Sequence, residues 1–286
     1  MRKILYSLVV MAFVILFVFA YLFIFGTADI RTDLTRNKPN AAKGKALLDK
    51  AAISHGLEKW EEWETVQLKW SDEFAMLPAI FASPFPDAKF EADFSFTPGQ
   101  WDSRLDFTSG KNKGTSWGIQ NWNTYEKNTL TPAPVFAENA DLKFWLPTYQ
   151  YFVELPSRIF EADIILYAGE QEKDGKTYDG VYATWKSAEV QRNIDQYNLW
   201  IDRETGLIAW VDFTIRDFTN FAKGSVEYLD YKDFDGLKLA THMPVISPPL
   251  PGYLHQMRIL DFIPNGIEIG ELQPDQKLKG KTIEKE

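Results

Sequence analysis

The sequence predicts a mainly β fold of the α+β class: a curved antiparallel sheet under a helical cover, preceded by one N-terminal transmembrane helix. Three observations point there. Between Gln196 and Val245 lie two strand pairs, each hinged on an acidic-Gly turn. Aromatic residues make up 15% of the chain, with 10 Trp, 12 Tyr and 21 Phe, enough for a large core. And Met1-Arg2-Lys3 leads into an uncharged run from Ile4 to Phe25.

The first strand pair reads Tyr197-Asn198-Leu199-Trp200-Ile201, turns at Asp202-Arg203-Glu204-Thr205-Gly206, and returns from Leu207 to Arg216. On the return, Ala209, Val211, Phe213 and Ile215 alternate with Trp210, Asp212, Thr214 and Arg216, a period of two that turns one apolar face inward. Gly206 takes the positive φ that closes such a hairpin. The second pair runs Ser225 to Lys232, turns at Asp233-Phe234-Asp235-Gly236 and returns through Leu237, Leu239, Thr241 and Met243. The simplest connection is an antiparallel meander.

In chain order, a helix over Ile4 to Phe25 would be about 33 Å long, matching a bilayer's hydrocarbon core. A cleaved signal peptide is the competing reading, with Gly26-Thr27-Ala28 as a poor small-residue site. Residues 1–28 are therefore read as a membrane anchor and 29–42 as a linker. The body, 43–272, opens with a helix from Lys43 to His55 that ends at Gly56. His55, in its last turn, reads as a helix-dipole partner. Strands follow over Thr65–Phe74, Phe90–Phe96, Ser103–Thr108 and Thr115–Tyr125. On the second of these Phe90, Ala92, Phe94 and Phe96 alternate with Lys89, Glu91, Asp93 and Ser95. Residues 138–160 lack period two and read as short apolar helices interrupted by Pro147 and Pro156. They pack over the concave side of the sheet, either as a fixed cap or as a movable lid over a ligand cavity. Lys173-Asp174-Gly175-Lys176 turns a further hairpin, Pro244 to Pro251 is a rigid connection, and Tyr253–Ile263 is the last strand. The tail, 273–286, is lysine-rich and expected to be disordered.

Net charge −9 and a pI near 5.0 argue against nucleic acid. With no cysteine there is no disulfide, thiolate metal site, Cys nucleophile or lipid-bearing Cys. Gly114-Thr115-Ser116-Trp117-Gly118 fits the G-x-S-x-G nucleophile pattern with His242 and His255 downstream. However, a polar turn precedes Ser116 and a strand follows it, the wrong context for a nucleophile elbow. Asp230, Asp233 and Asp235 beside Gly236 fall out of register with a calcium loop and read as a solvated turn. Three scattered histidines give no metal spacing, and no catalytic residue, metal or cofactor is predicted.

The helix closing on His55-Gly56-Leu57-Glu58-Lys59-Trp60 and the aromatic strand Phe90–Phe96 carry a resemblance. So do the turn Asp202-Arg203-Glu204-Thr205-Gly206-Leu207 and the segment Tyr231-Lys232-Asp233-Phe234-Asp235-Gly236-Leu237-Lys238-Leu239. From about Lys45 to Pro264 the chain resembles the LolA/LolB-like superfamily of bacterial lipoprotein carriers. The resemblance implies an incomplete antiparallel β-barrel whose helices plug an apolar cavity for acyl chains, outside the cytoplasm. Two features depart from LolA and LolB: a retained membrane helix and the absence of a Cys for lipid. They fit a local hand-off at the inner membrane better than a shuttle.

The expectation is thus a single-pass inner-membrane protein with its body in the periplasm, non-catalytic, binding a lipid or a lipoprotein acyl chain. Phe90, Phe94, Phe96, Val211 and Phe213 would form the cavity floor, and Trp145, Tyr149 and Phe152 the cover. The alternative is a structural or accessory subunit of an inner-membrane complex with a filled core, partnered by integral membrane proteins. A Ser hydrolase through Ser116 is the third reading.

Overall fold

Every strand ladder is antiparallel in the computed structural model, which describes residues 10, 11, 13, 14, 17, 18, 21, 26–30, 40–248 and 250–278. The first half of the body carries α1 (Ala41–His55), a 3-10 turn (Leu57–Glu62), β1 (Val66–Phe74), α2 (Leu77–Ala82) and β2 (Lys89–Phe96). It continues with β3 (Ser103–Phe107), β4 (Thr115–Gln120), β5 (Asn123–Asn128), β6 (Val135–Phe136), α3 (Ala140–Val153) and α4 (Leu155–Arg158). The second half has β7 (Ile164–Lys173), β8 (Lys176–Thr184), β9 (Gln196–Asp202), β10 (Ile208–Thr214) and β11 (Lys223–Glu227). It ends with β12 (Leu229–Phe234), β13 (Leu237–Ile246), β14 (His255–Pro264) and α5 (Ile269–Leu272).

Among the described residues these form one 14-stranded sheet in the order β6-β5-β4-β3-β2-β1-β14-β13-β11-β10-β9-β8-β7, with β12 paired to β13 beside that path. The last long strand, β14, lies between β1 and β13 and so joins the two meanders. The end strands β6 and β7 do not pair with each other, so the sheet is open. It is also curved: α3 touches β1 and β2 through Trp70 and Phe94, and β10 through Phe213. Register breaks at Lys69/Trp70, Tyr167/Gly169 and Ile208/Trp210 add the local twist that bends strands around a core.

The predicted alternation sets the faces. Val66, Leu68 and Trp70 of β1 pair with Phe96, Phe94 and Ala92 of β2, and all six are buried. Val211 and Phe213 pair with Leu199 and Tyr197, putting the second meander's apolar face on the same core. Gly56 takes φ +69°, and a Cβ there would fall 2.1 Å from the Gly236 carbonyl oxygen, so the α1 terminus and the β12–β13 turn can touch only through a glycine.

Four segments differ from the sequence reading. Thr115–Tyr125 is two strands, not one: Asn121 and Trp122 both have positive φ (47° and 61°) and turn a tight hairpin. No glycine marks that turn. It is held from outside, where Asp102 Oδ1 accepts the Asn121 N–H at 2.7 Å. Ser225–Lys232 breaks at Tyr228 into β11 and β12. Helix α3 runs through Pro147 without stopping, because the burial of its apolar face outweighs one lost backbone hydrogen bond; Pro156 does open a new helix, as predicted. His55 is buried and neutral, not a cationic dipole partner. Its Nε2 accepts the Ile208 N–H (3.2 Å), so Nδ1 carries the proton and donates to the Lys238 carbonyl (3.0 Å). Burial lowers its pKa to about 4.

Most of the predicted membrane helix lies outside the described residues; Val10, Met11, Phe13, Val14, Phe17, Val18 and Tyr21, which are described, are helical and exposed. Among the described residues no helix is long and apolar enough to cross a membrane. Of the tail expected to be disordered, residues 273–278 lie along the β3–β5 region: Gln273 donates to Asp102 (2.7 Å), and Asp275 accepts from Gln120 (2.8 Å). Residues 279–286 fall outside the described set.

Candidate functional site: an aromatic interior beneath helix α3

Helix α3 begins where the Asn139 side chain accepts the N–H groups of Asp141 (3.0 Å) and Leu142 (3.2 Å), a standard N-cap. Trp145, Tyr149 and Phe152 then fall at spacings of four and three, on the face toward the sheet. All eight residues predicted for floor and cover are buried, and all belong to one core. Tyr149 meets Trp70 (5.1 Å between ring centres) and Phe94 (6.1 Å). Phe152 meets Phe213 at 5.0 Å. Trp145 reaches Phe74 and His255 at 5.6 and 5.7 Å.

Phe90 and Phe96 sit at the margins of this group. Phe90 packs on Phe85 (4.4 Å) and Phe107 (5.4 Å), and Phe96 on Trp60 (5.9 Å). Phe85 is the residue that sequence reasoning missed. Carried on the irregular segment Ser83-Pro84-Phe85-Pro86, it inserts among Phe74, Phe90, Trp117, Trp145 and Tyr149, all within 6.1 Å between ring centres. It follows no period, so no pattern could have found it. Trp70 and Phe74 were legible, in phase with Val66 and Leu68, but the polar Asp72 interrupts the row.

Asp72 is fully buried on the inner face, and the structure supplies its partners. Tyr149 donates its hydroxyl to Asp72 Oδ2 at 2.7 Å, and His255 Nδ1 lies 3.0 Å from both carboxylate oxygens. Burial, and then the Asp72 charge, holds the Tyr149 phenol well above its ordinary pKa, so it stays a donor. His255 stacks on Phe74 at 4.9 Å. These three residues tie the cover to β1 and β14.

A second tie closes the other end of α3. Arg158 donates to Glu154 Oε2 (2.8 and 3.0 Å) and to the carbonyls of Gly99 and Gln100 (3.1 and 2.6 Å); Glu154 Oε1 accepts the Gly99 N–H (2.9 Å). Both charged side chains are 2% exposed. Burial pushes the Glu154 carboxyl up, against the opposing pull of Arg158. This network pins the α3–α4 junction to the β2–β3 turn.

The hydrolase pattern does not assemble. Ser116 lies within β4 and donates its hydroxyl to Asp106 on β3. His255 is on β14, four strands away in the sheet order, a separation of about 19 Å at ~4.8 Å per strand. Among the described residues no group of three or more His, Asp or Glu could hold a metal ion. Asp233 and Asp235 are turn residues: Asp233 Oδ1 accepts the Gly236 N–H at 2.7 Å, and Asp235 has φ 55°.

No family model and no curated protein matches the sequence. Solved structures do match the fold. A DUF1329 family protein from Desulfovibrio piger is 13% identical, with a TM-score of 0.51 over 80% of this chain and 96% of its own. A Vibrio parahaemolyticus domain assigned to outer membrane lipoprotein sorting is 11% identical, with a TM-score of 0.52 over 82% and 98%. A LolA superfamily protein from Nitrosomonas europaea is 10% identical, with a TM-score of 0.50 over 80% and 96%. The open antiparallel sheet and its helices therefore have the LolA-like fold that the sequence resemblance implied.

Proposed function

We propose that this chain is a membrane-anchored, periplasm-facing, non-catalytic protein that binds a lipid or a lipoprotein acyl chain between its sheet and helix α3. The observation that carries this reading is the aromatic inner wall beneath helix α3, apolar except for the Asp72 cluster, in a fold shared with a LolA superfamily protein and a lipoprotein-sorting domain. Burial of each methylene contributes about 0.8 kcal/mol, so an acyl chain needs no charged anchor. Trp70 Nε1 is buried without a hydrogen-bond partner among the described residues and offers a donor to an ester or carboxyl oxygen. Phe85, Trp145 and Tyr149 occupy the space a guest would enter, so binding requires α3 or the Phe85 segment to move aside. Tyr149 and Phe152 then form the lid side of the site, and Phe94, Val211 and Phe213 its floor.

The test is extraction of the purified full chain followed by mass spectrometry, together with displacement of a fluorescent fatty acid. Bound lipid and saturable displacement weakened by Phe94→Asp support the reading; no lipid and no displacement overturn it. Close ring packing and the buried Arg158–Glu154 tie favour a second reading, an accessory subunit with a filled core. For that subunit, the purified protein would carry no lipid and would co-purify with inner-membrane proteins.

A further inference from the structure

The end of the sheet where β1, β13 and β10 finish carries exposed apolar side chains on three adjoining loops. On the β1–β2 loop, within α2, Leu77 is 67% and Phe81 83% exposed; Leu250 on the β13–β14 loop is 42%, and Phe218 on the β10–β11 loop 45%. The loops are physically continuous. The Ala75 N–H donates to the Leu254 carbonyl (2.9 Å), and the Ser247 hydroxyl to the Lys223 carbonyl (2.8 Å). Phe218 packs on Phe144 of α3, next to Trp145, so this rim lies directly in front of the aromatic interior.

An independent observation says what covers it. The chain emerging from the uncharged run Ile4 to Phe25 is fastened at this same rim. The Ala28 N–H donates to the Asn220 carbonyl (2.7 Å), and Arg216 Nη2 donates to the Ala28 carbonyl (2.6 Å). The Ile30 N–H then reaches Gln196 Oε1 (3.1 Å), and Ile30 is buried against Ala168 and Tyr182. Only residues 26 and 27 separate the apolar run from the Ala28 hydrogen bonds. The strap 28–30 is thus held by the body within a few residues of the apolar run.

We infer that the body sits end-on against a phospholipid bilayer, with Leu77, Phe81, Phe218 and Leu250 dipping into it beside the point where the apolar run leaves. This rests on the anchored reading above and specifies the face through which a lipid passes. An acyl chain would move from the bilayer past Phe218 and Phe144 to the interior without crossing water. The opposite turns, Asp235-Gly236 and Glu204-Thr205, lie a strand length away, about 33 Å for the ten residues of β13.

Because the chain has no cysteine, single thiols report single sites. Phe81→Cys, Phe218→Cys, Leu250→Cys, Glu204→Cys and Asp235→Cys variants of the full chain are reconstituted into phosphatidylethanolamine–phosphatidylglycerol vesicles. Each is labelled with an environment-sensitive fluorophore and quenched with bromine-bearing lipids. The first three should blue-shift and lose most of their intensity, and the last two should do neither. Chains that float with the vesicles but show equal or no quenching at both ends overturn this inference while leaving the anchor standing; a rim occupied by a protein partner gives that result. Chains that do not float overturn both.

Discussion

At the residue scale the most informative group is His55, whose two ring nitrogens are committed to backbone partners on β10 and β13. With a folded pKa near 4 against 6.5 for the free side chain, the unfolded chain binds the extra proton first as pH falls. Its contribution is therefore complete above pH 6.5 and is lost as pH drops through about 4. The full shift corresponds to an upper bound of about 3 kcal/mol. Urea midpoints at pH 7.5 and 4.5 should differ by less in His55→Asn than in the native protein. A second residue-scale prediction concerns Tyr149→Phe. It leaves the Asp72 carboxylate buried with one donor fewer and should cost about 1.5–3 kcal/mol, the range for a hydrogen bond to a charged group; chemical denaturation measures it. Neither arrangement could be read from the sequence, because the groups that meet lie 153, 183 and 77 residues apart.

Among the elements, α3 decides how the interior is closed. Its two ties differ in kind: the Tyr149–Asp72–His255 cluster lies under its middle, and the Glu154–Arg158 pair locks its C-terminal end. Removing Arg158 alone, as in Arg158→Met, strands a buried carboxylate and should destabilise by about 3–5 kcal/mol. The double variant Arg158→Met with Glu154→Leu should recover a large part of that loss, and a thermal-melt cycle of the four proteins would show the coupling. Helix α1 is fixed by contact with β7: a Cβ at Gly44 would lie 2.6 Å from the Leu166 carbonyl carbon. Gly44→Ala should consequently destabilise by about 1–3 kcal/mol as the helix is pushed off the sheet, despite alanine's better helix propensity. The strands of both meanders were legible because alternation survives along them. Gly44 and the glycine-free turn at Asn121-Trp122 were not, since their demands come from neighbouring elements.

For the whole molecule the anchored reading makes a topological prediction. Alkaline phosphatase fused after Glu286 should be active, because that reading puts the body outside the cytoplasm; an inactive fusion would place it inside. On that reading, anchor, strap, apolar rim and aromatic interior form one path from bilayer to core. Ala28 and Ile30 sit in a stretch read as anchor and linker, and Arg216, Asn220 and Gln196 hold them. Polar side chains that meet only after folding leave no local signature.

By itself the sequence determined the antiparallel, aromatic character of the protein. Period-two alternation at Phe90–Phe96 and at Val211 and Phe213 dictates which side of each strand is buried, and Gly206 and Gly236 mark two of its turns. These are local properties, set by backbone geometry and the transfer of apolar area from water. Only the tertiary structure decided that β14 joins the two meanders and that Phe85 plugs the interior. It alone decided that Asp72 is matched by Tyr149 and His255, and that the N-terminal strap is bound at the exposed rim. Each of these joins residues far apart in the chain, where pairing is chosen by shape and by the need to satisfy buried polar groups, which no short window of sequence contains.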